Sequence, residues 1–230
     1  RIPLMPGREG GAYQALDDFR FEEDAAEPSL SGDWESLQIS AAVAYSGMVI
    51  PAKTYGEPAY AHQLLAAHLL KTDYLWQRIR MQGGAYGAAA SVHGLEGFFS
   101  FLSYRDPHPE LSHRVYRDAL EHLAAEAVDR DELEKAIIAL VGKDTRPKSP
   151  AEKSIVGLKR RLFGITDELR LEIRKELLEA ESEDVRAAAR DLLDQGCPAA
   201  VRVTVADSQK LQAAEEAFHR VGQQRLVLPV

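Results

Sequence analysis

At 230 residues the chain can form one large domain or two small ones. Its 28 Lys and Arg against 36 Asp and Glu leave a net charge of −8, so non-specific binding to nucleic acid or to an anionic membrane surface, which needs clustered cations, is excluded. Hydrophobic residues make up 45% and charged residues 28%, an ordinary globular balance, and no apolar run approaches the ~20 residues that span a bilayer.

The chain begins at Arg1 rather than Met and shows no signal-peptide pattern, so we read it as a piece of a longer protein. Residues 1–35 read as a leader. Pro3, Pro6, Gly7, Gly10 and Gly11 punctuate it, and Asp17, Asp18, Glu22, Glu23, Asp24 and Glu27 then face only Arg20. Such a run is a solvated linker or an edge segment that packs on a neighbour. From Glu35 to Ser46, Leu37, Ile39, Ala41, Val43 and Tyr45 alternate with Gln38, Ser40, Ala42 and Ala44, which predicts one strand with the first set buried. A helix follows from about Pro58, with Ala61, Leu64, Leu65 and His68 on one face, and a short helical stretch covers Tyr74–Met81 with Leu75 and Ile79 in register. Gly83, Gly84 and Gly87 end that helix and start a strand over Ala88–His93. Gly94–Gly97 turns it back into an aromatic strand over Phe98–Tyr104.

The remainder is mostly helical. Asp106-Pro107 reads as the N-cap and first residue of a helix running to about Val128. Asp129 with Glu132, Ser149-Pro150-Ala151-Glu152, Thr166-Asp167-Glu168 and Ser182-Glu183-Asp184 supply capping oxygens and first-turn acids for four more helices. Val201, Val203 and Val205 alternate as a strand, followed by a helix near Lys210–Ala217 and a strand at Arg225–Leu228. A tight hairpin followed by grouped helices predicts an α+β domain over residues 36–230: an antiparallel sheet with helices packed on one face.

Few residues point to chemistry. The seven histidines (His62, His68, His93, His108, His113, His122 and His219) include no pair at i, i+4, and neither H-E-x-x-H nor H-x-x-E-H occurs, so no catalytic metal site is recognisable. The stretch Gly83-Gly84-Ala85-Tyr86-Gly87 follows a helix and precedes a strand, the reverse of a phosphate-binding loop, which lies between a strand and a helix N-terminus. The one cysteine, Cys197, rules out an intrachain disulfide and a thiolate metal cluster and fits a reducing compartment. It precedes Pro198 with no histidine nearby in sequence and reads as a small half-buried thiol. Arg80 and Tyr86 remain. Arg80 is either a solvated helix residue or a donor to a substrate carbonyl; Tyr86 is either an anchor at a strand edge or an oxyanion donor. In the functional reading Gly83, Gly84 and Ala85 let a peptide backbone come close.

The string Tyr74-Leu75-Trp76-Gln77-Arg78-Ile79-Arg80-Met81-Gln82-Gly83-Gly84-Ala85-Tyr86-Gly87, followed by Tyr104-Arg105-Asp106-Pro107, resembles the C-terminal region of presequence proteases, within the pitrilysin/insulinase zinc metallopeptidases. Gly164-Ile165-Thr166-Asp167-Glu168 and Ser182-Glu183-Asp184-Val185 fit in order, so the likeness covers roughly residues 36–230. The resemblance implies a four-domain enzyme whose two halves enclose a chamber, with an H-x-x-E-H zinc site in the N-terminal half. It implies that Arg80 and Tyr86 reach across to the substrate, Tyr86 to the scissile carbonyl oxygen and Arg80 to the same or a neighbouring one. On this reading zinc is a cofactor of the full-length enzyme and is bound outside this chain, which by itself is inactive. Its partners are a peptide substrate, the N-terminal domains of the same protein and, for the isolated chain, a second copy through an apolar face. The compartment implied is a bacterial cytoplasm, with an organellar matrix as the alternative. The rival is a non-catalytic partner or structural subunit of the same fold.

Overall fold

The chain's most apolar segments pair with their sequence neighbours, and the rest of the sheet is added around them. The computed structural model describes residues 34–217 and 225–227, so all but the end of the expected leader lies outside the described residues. Within these residues six strands form one sheet: β1 (Trp34–Gln38), β2 (Ala44–Pro51), β3 (Gly87–His93), β4 (Phe98–Asp106), β5 (Val201–Ala206) and β6 (Arg225–Val227). Their order across the sheet is β3-β4-β2-β5-β1-β6. The hairpin β3–β4, the pair β2–β4 and the pair β2–β5 are antiparallel, as the fold class requires. At the other side β1 runs parallel to β5 and β6 parallel to β1, two pairings the sequence did not announce.

Among the described residues seven α-helices accompany the sheet: α1 (Tyr60–Thr72), α2 (Pro109–Ala125), α3 (Arg130–Thr145), α4 (Pro150–Leu162), α5 (Asp167–Glu179), α6 (Ser182–Asp191) and α7 (Ser208–Ala217). A π-helical segment, Trp76–Gln82, lies between α1 and β3. α1 packs on β3 and α2 on β2 and β4, α6 lies against both helices, and α3 and α5 pack on α1. All of this covers one face of the sheet, as expected. Leu65, Leu70, Leu75, Ile79, Phe99, Phe101, Tyr116 and Leu120 are fully buried between the layers.

The segment read as one strand over Glu35–Ser46 is two. β1 ends at Gln38, residues 39–43 carry no regular structure, and β2 begins at Ala44. The phase is also opposite to the expected one. Trp34, Ser36, Ala44, Ser46, Met48 and Ile50 are buried, whereas Leu37 and Tyr45 point to the open face. The inner face carries small residues here because α2 fills the space with rings. The Tyr116 ring stacks on Phe101 at 5.2 Å, and its hydroxyl donates to the Ser46 carbonyl at 3.3 Å. His113 lies 4.4 Å from the Trp34 ring, centre to centre.

The open face is apolar too. Tyr45 stands between Tyr104 and Val205, and Gly47 between Leu102 and Val203. A Cβ at Gly47 would come within 3.2 Å of Val203 Cγ1 and 3.3 Å of Leu102 Cδ2, so these two side chains close over the glycine.

The capping signals largely hold. Asp129 accepts from the Asp131 and Glu132 amides, Ser149 and Glu152 form a reciprocal capping box, and Thr166 accepts from the Leu169 amide. Two shift. Asp106 is the last residue of β4, not the N-cap of α2; its buried carboxylate accepts from the Ser103 hydroxyl, the His108 amide and the Ser112 hydroxyl, tying the strand end to the helix start. Ser182 opens α6 but does not cap it. Its hydroxyl accepts from the Val128 amide at 2.8 Å, and Glu181 with Asp184 makes the capping box.

His113 gives a pH test. Its Nε2 lies 2.9 Å from the Thr204 hydroxyl, which also accepts from the Trp34 indole at 3.2 Å. Burial, with Arg202 adding to it, pushes the imidazole pKa down to about 3. In the unfolded chain the ordinary value is about 6.5. Between these values the unfolded state takes a proton that the native state refuses, so stability falls as pH drops from about 6.5 toward 3, by at most about 1.4 kcal/mol per pH unit from this residue. We expect His113→Gln to be less stable at pH 7 yet to lose less stability than the parent between pH 6.5 and 4. Urea midpoints at pH 7, 5.5 and 4 check this; parallel pH slopes would refute it.

Candidate functional site

Arg80 and Tyr86 stand on either side of one short turn. Leu75 and Ile79 anchor the preceding segment in the core, and its last residues widen into π-helix. The Gly83 amide donates to the Arg78 carbonyl at 3.0 Å, the i→i−5 bond that marks this widening. The Gly84 amide donates to Arg80 O and the Ala85 amide to Ile79 O, each at 3.1 Å. The Tyr86 amide then donates to Tyr104 O at 3.1 Å and starts the β3–β4 ladder. Every backbone donor of the turn is therefore used internally, and a ligand at this turn meets side chains.

The glycines have local reasons. A Cβ on Gly83 would stand 2.6 Å from the Ile79 carbonyl oxygen. Gly84 has φ +74°, a left-handed conformation in which a side chain is strained, and its Cβ direction is otherwise open, with Pro107 Cγ 3.6 Å away. Ala85 is buried in the core. Of the three residues expected to admit a substrate backbone, Gly84 is the exposed one.

Both candidate side chains rest on aromatic rings that sequence reasoning did not single out. The Arg80 guanidinium carbon lies 3.9 Å from the centre of the Trp76 ring, a cation–π contact four residues back along the helix. The Tyr86 ring is 66% exposed and meets Tyr104 edge-on at 5.8 Å; Tyr104 meets Tyr45 the same way at 5.4 Å. A row of three tyrosines thus runs from the turn onto the open sheet face. Trp76 could have been found from the i, i+4 spacing to Arg80, and Tyr104 from its place in the aromatic strand. Among the described residues the Arg80 guanidinium and the Tyr86 hydroxyl make no hydrogen bond.

The described residues do not fit a zinc ion, since no three His, Cys, Asp or Glu side chains among them gather as a metal site. His122 and Glu126, four residues apart, meet at the surface with 3.2 Å between Nδ1 and Oε1. Cys197 is half-buried, and burial raises its thiol pKa, as for an unreactive cysteine. No described helix is long and apolar enough to cross a membrane.

The profile of the family described as the PreP C-terminal domain matches residues 35–208. The chain belongs to this family. It is a C-terminal domain of the presequence-protease kind within the pitrilysin/insulinase (M16) metallopeptidases. The mitochondrial presequence protease of Eremothecium gossypii is 32% identical over 163 residues, covering 70% of this chain and 16% of the relative. Presequence protease 1 of Arabidopsis thaliana, chloroplastic/mitochondrial, is 36% identical over 154 residues, covering 66% and 14%. The chain thus spans about one-sixth of the length of these relatives. Among solved structures, the M16 peptidase inactive domain of Pseudomonas fluorescens shares the fold with a TM-score of 0.58 at 18% identity, over 76% of this chain and 43% of that one.

The turn yields a stability test. We expect Gly84→Ala to cost about 1–2 kcal/mol through its left-handed backbone. Gly83→Ala should cost more, because the Ile79 carbonyl cannot move without breaking the Ala85 bond. Urea unfolding of both variants checks the order; equal stability of Gly83→Ala and the parent would contradict the geometry.

Proposed function

We propose that this domain is the C-terminal part of a zinc metallo-oligopeptidase that degrades unfolded peptides, and that it closes the chamber and presents Arg80 and Tyr86 to the substrate. The observation that carries this reading is the state of the turn. Its backbone donors are all consumed, so the Arg80 guanidinium and the Tyr86 hydroxyl are the donors left for a peptide carbonyl, each held in position by a ring. Arg80 stays charged at any working pH, and a phenol is a sound donor to an oxyanion. In this reading Tyr86 donates to the scissile carbonyl oxygen and Arg80 to the same or a neighbouring carbonyl. Gly83, Gly84 and Ala85 bring the backbone of the turn close to the substrate and keep both side chains in place. Zinc and the general base belong to residues outside this chain, so the chain by itself is inactive.

The open sheet face supports a chamber-closing role. Leu102 and Tyr104 are each about half exposed there, a degree of apolar exposure that fits a wall or a partner domain better than free solvent. The N-terminal part of the same protein is the partner that this reading requires, and a second copy is its substitute in the isolated chain. These relatives are named as mitochondrial and chloroplastic proteins; for this chain, a bacterial cytoplasm or an organellar matrix follows only from the full-length protein.

A second reading, a non-catalytic module of the same fold, draws on the local backbone reasons for Gly83 and Gly84 and on the related domain described as inactive. The two readings part at Tyr86. In the full-length protein Tyr86→Phe keeps the ring against Tyr104 and removes only the hydroxyl. A donor aimed at the oxyanion stabilises the transition state more than the ground state, so kcat should fall roughly 10²–10³-fold with a much smaller change in KM. Arg80→Lys should also be poorly tolerated, because an ammonium cannot reproduce a planar fork of donors. Zinc content and Tm should remain those of the parent. An unchanged kcat with full zinc occupancy would end the catalytic assignment and favour the module.

A further inference from the structure

The helix α4 is inside out. Ile155, Leu158 and Leu162 lie on its outer face and are each more than half exposed, and the helix has no buried residue. At 100° per residue, Val156 and Arg160 lie away from that stripe, and both are half-buried. A helix in a globular protein normally turns its apolar stripe inward. Here Arg160, with Val156 beside it, lines a cleft.

That cleft has a volume of about 360 Å³ and lies between α1, α3, α4 and α5. Its apolar wall is made by Tyr55, Tyr60, Leu64, Val141, Ile173 and Leu177. Tyr60 is buried, and burial pushes its hydroxyl pKa up to about 12. Its charged lining is five cations, Lys143, Lys148, Arg160, Arg170 and Arg174, against one carboxylate, Asp144. Asp144 accepts from Arg170 at 3.1 Å and Arg174 at 2.7 Å, and Arg170 also reaches Asp167. Among the described residues the Lys148 ammonium donates only to backbone carbonyls, those of Asp144 and Arg146. Lys143 and Arg160 form no ion pair among the described residues. The Arg174 Nε is buried without a hydrogen-bond partner among the described residues. An adjoining cleft shares Lys148, Val156, Arg160 and Arg170 and adds Arg146 and Lys153, extending the positive lining along α4.

We propose that this cleft binds an amphipathic monoanion, a medium-chain carboxylate, with the tail on the Leu64–Ile173–Leu177 wall and the head among Lys143, Lys148 and Arg160. Charge complementarity selects the head. Three cations lacking a carboxylate partner stand opposite the apolar wall, beside the Asp144–Arg170–Arg174 cluster, and a carboxylate can take a bidentate bond from Arg160. Size selects the tail. At ~30 Å³ per water-sized group, the cleft holds roughly twelve heavy atoms, the size of decanoate. Nothing in the peptidase reading uses these residues, so the site stands or falls independently of Arg80 and Tyr86.

The test is calorimetric titration of the purified chain with sodium decanoate up to 2 mM, beside acetate (head without tail) and decyltrimethylammonium (tail with the opposite charge). We expect saturable one-to-one binding of decanoate alone. The variant carrying both Lys143→Gln and Arg160→Gln, each change at a position that is not buried, should keep its fold by circular dichroism and bind decanoate at least fivefold more weakly. A Leu64→Trp variant, which fills the wall, should lose binding while keeping both cations. Absence of saturable decanoate binding, equal binding of decyltrimethylammonium, or a less than fivefold loss in the double variant would each overturn the assignment.

Discussion

A sheet covered by helices on one face, yet apolar on both, sets the terms for the rest of this domain. The covered face is closed by rings that come from α2. Phe101 and Tyr116 stack, Trp34 and His113 meet, and Ala44 and Ser46 are small enough to let these rings approach. The Asp106 carboxylate fixes where α2 begins relative to β4 and so sets the positions of His113 and Tyr116. The open face has no such closure. Tyr45, Leu102, Tyr104 and Val203 are laid out as a core face would be, with Leu102 and Val203 closing over Gly47. Apolar surface of this kind is stabilised by covering, which a domain of this size cannot supply from one layer of helices.

This two-sidedness limits what the sequence could reveal. Alternation distinguishes the two faces of a strand but does not say which is inside. In β1 and β2 the larger apolar residues belong to the open face, and the buried face holds Ser36, Ala44 and Ser46. The break after Gln38 was hidden because the alternation continues through residues 39–43, which leave the sheet. The parallel pairings of β1 with β5 and of β6 with β1 join segments more than 160 residues apart, and no local signal encodes them. Where one short-range interaction decides, the sequence was legible. Ser149-Pro150-Ala151-Glu152 forms the expected box, and Gly94–Gly97 turns the expected hairpin.

The candidate site was legible in a similar, partial way. Arg80 and Tyr86 were singled out by residue type and by resemblance, and they do bracket one turn. Their supports were not visible. Trp76 reads as one more residue of a helix until the guanidinium is found over its ring, and Tyr104 as one more aromatic in a strand until it meets both Tyr45 and Tyr86. The glycines look like ligand-binding signals in a string of letters. In the fold, Gly83 makes room for the Ile79 carbonyl and Gly84 supplies a left-handed residue, so a chain reversal alone would keep them. The part of the site that local backbone geometry does not demand is the two side-chain ends.

Those two ends sit at the margin of the open sheet face, and this links the domain's unfinished surface to its proposed chemistry. The row Tyr86, Tyr104, Tyr45 begins at the turn and continues into the apolar strip between β2 and β4. A partner that covers this strip would also surround the Arg80 guanidinium and the Tyr86 hydroxyl, excluding water from both. Donors exposed to solvent contribute little to stabilising a charge, because water competes for it and screens it; the same donors in a closed space contribute far more. In such an arrangement the force that completes the fold and the condition that makes the donors effective are the same event, the burial of this face against the rest of the enzyme.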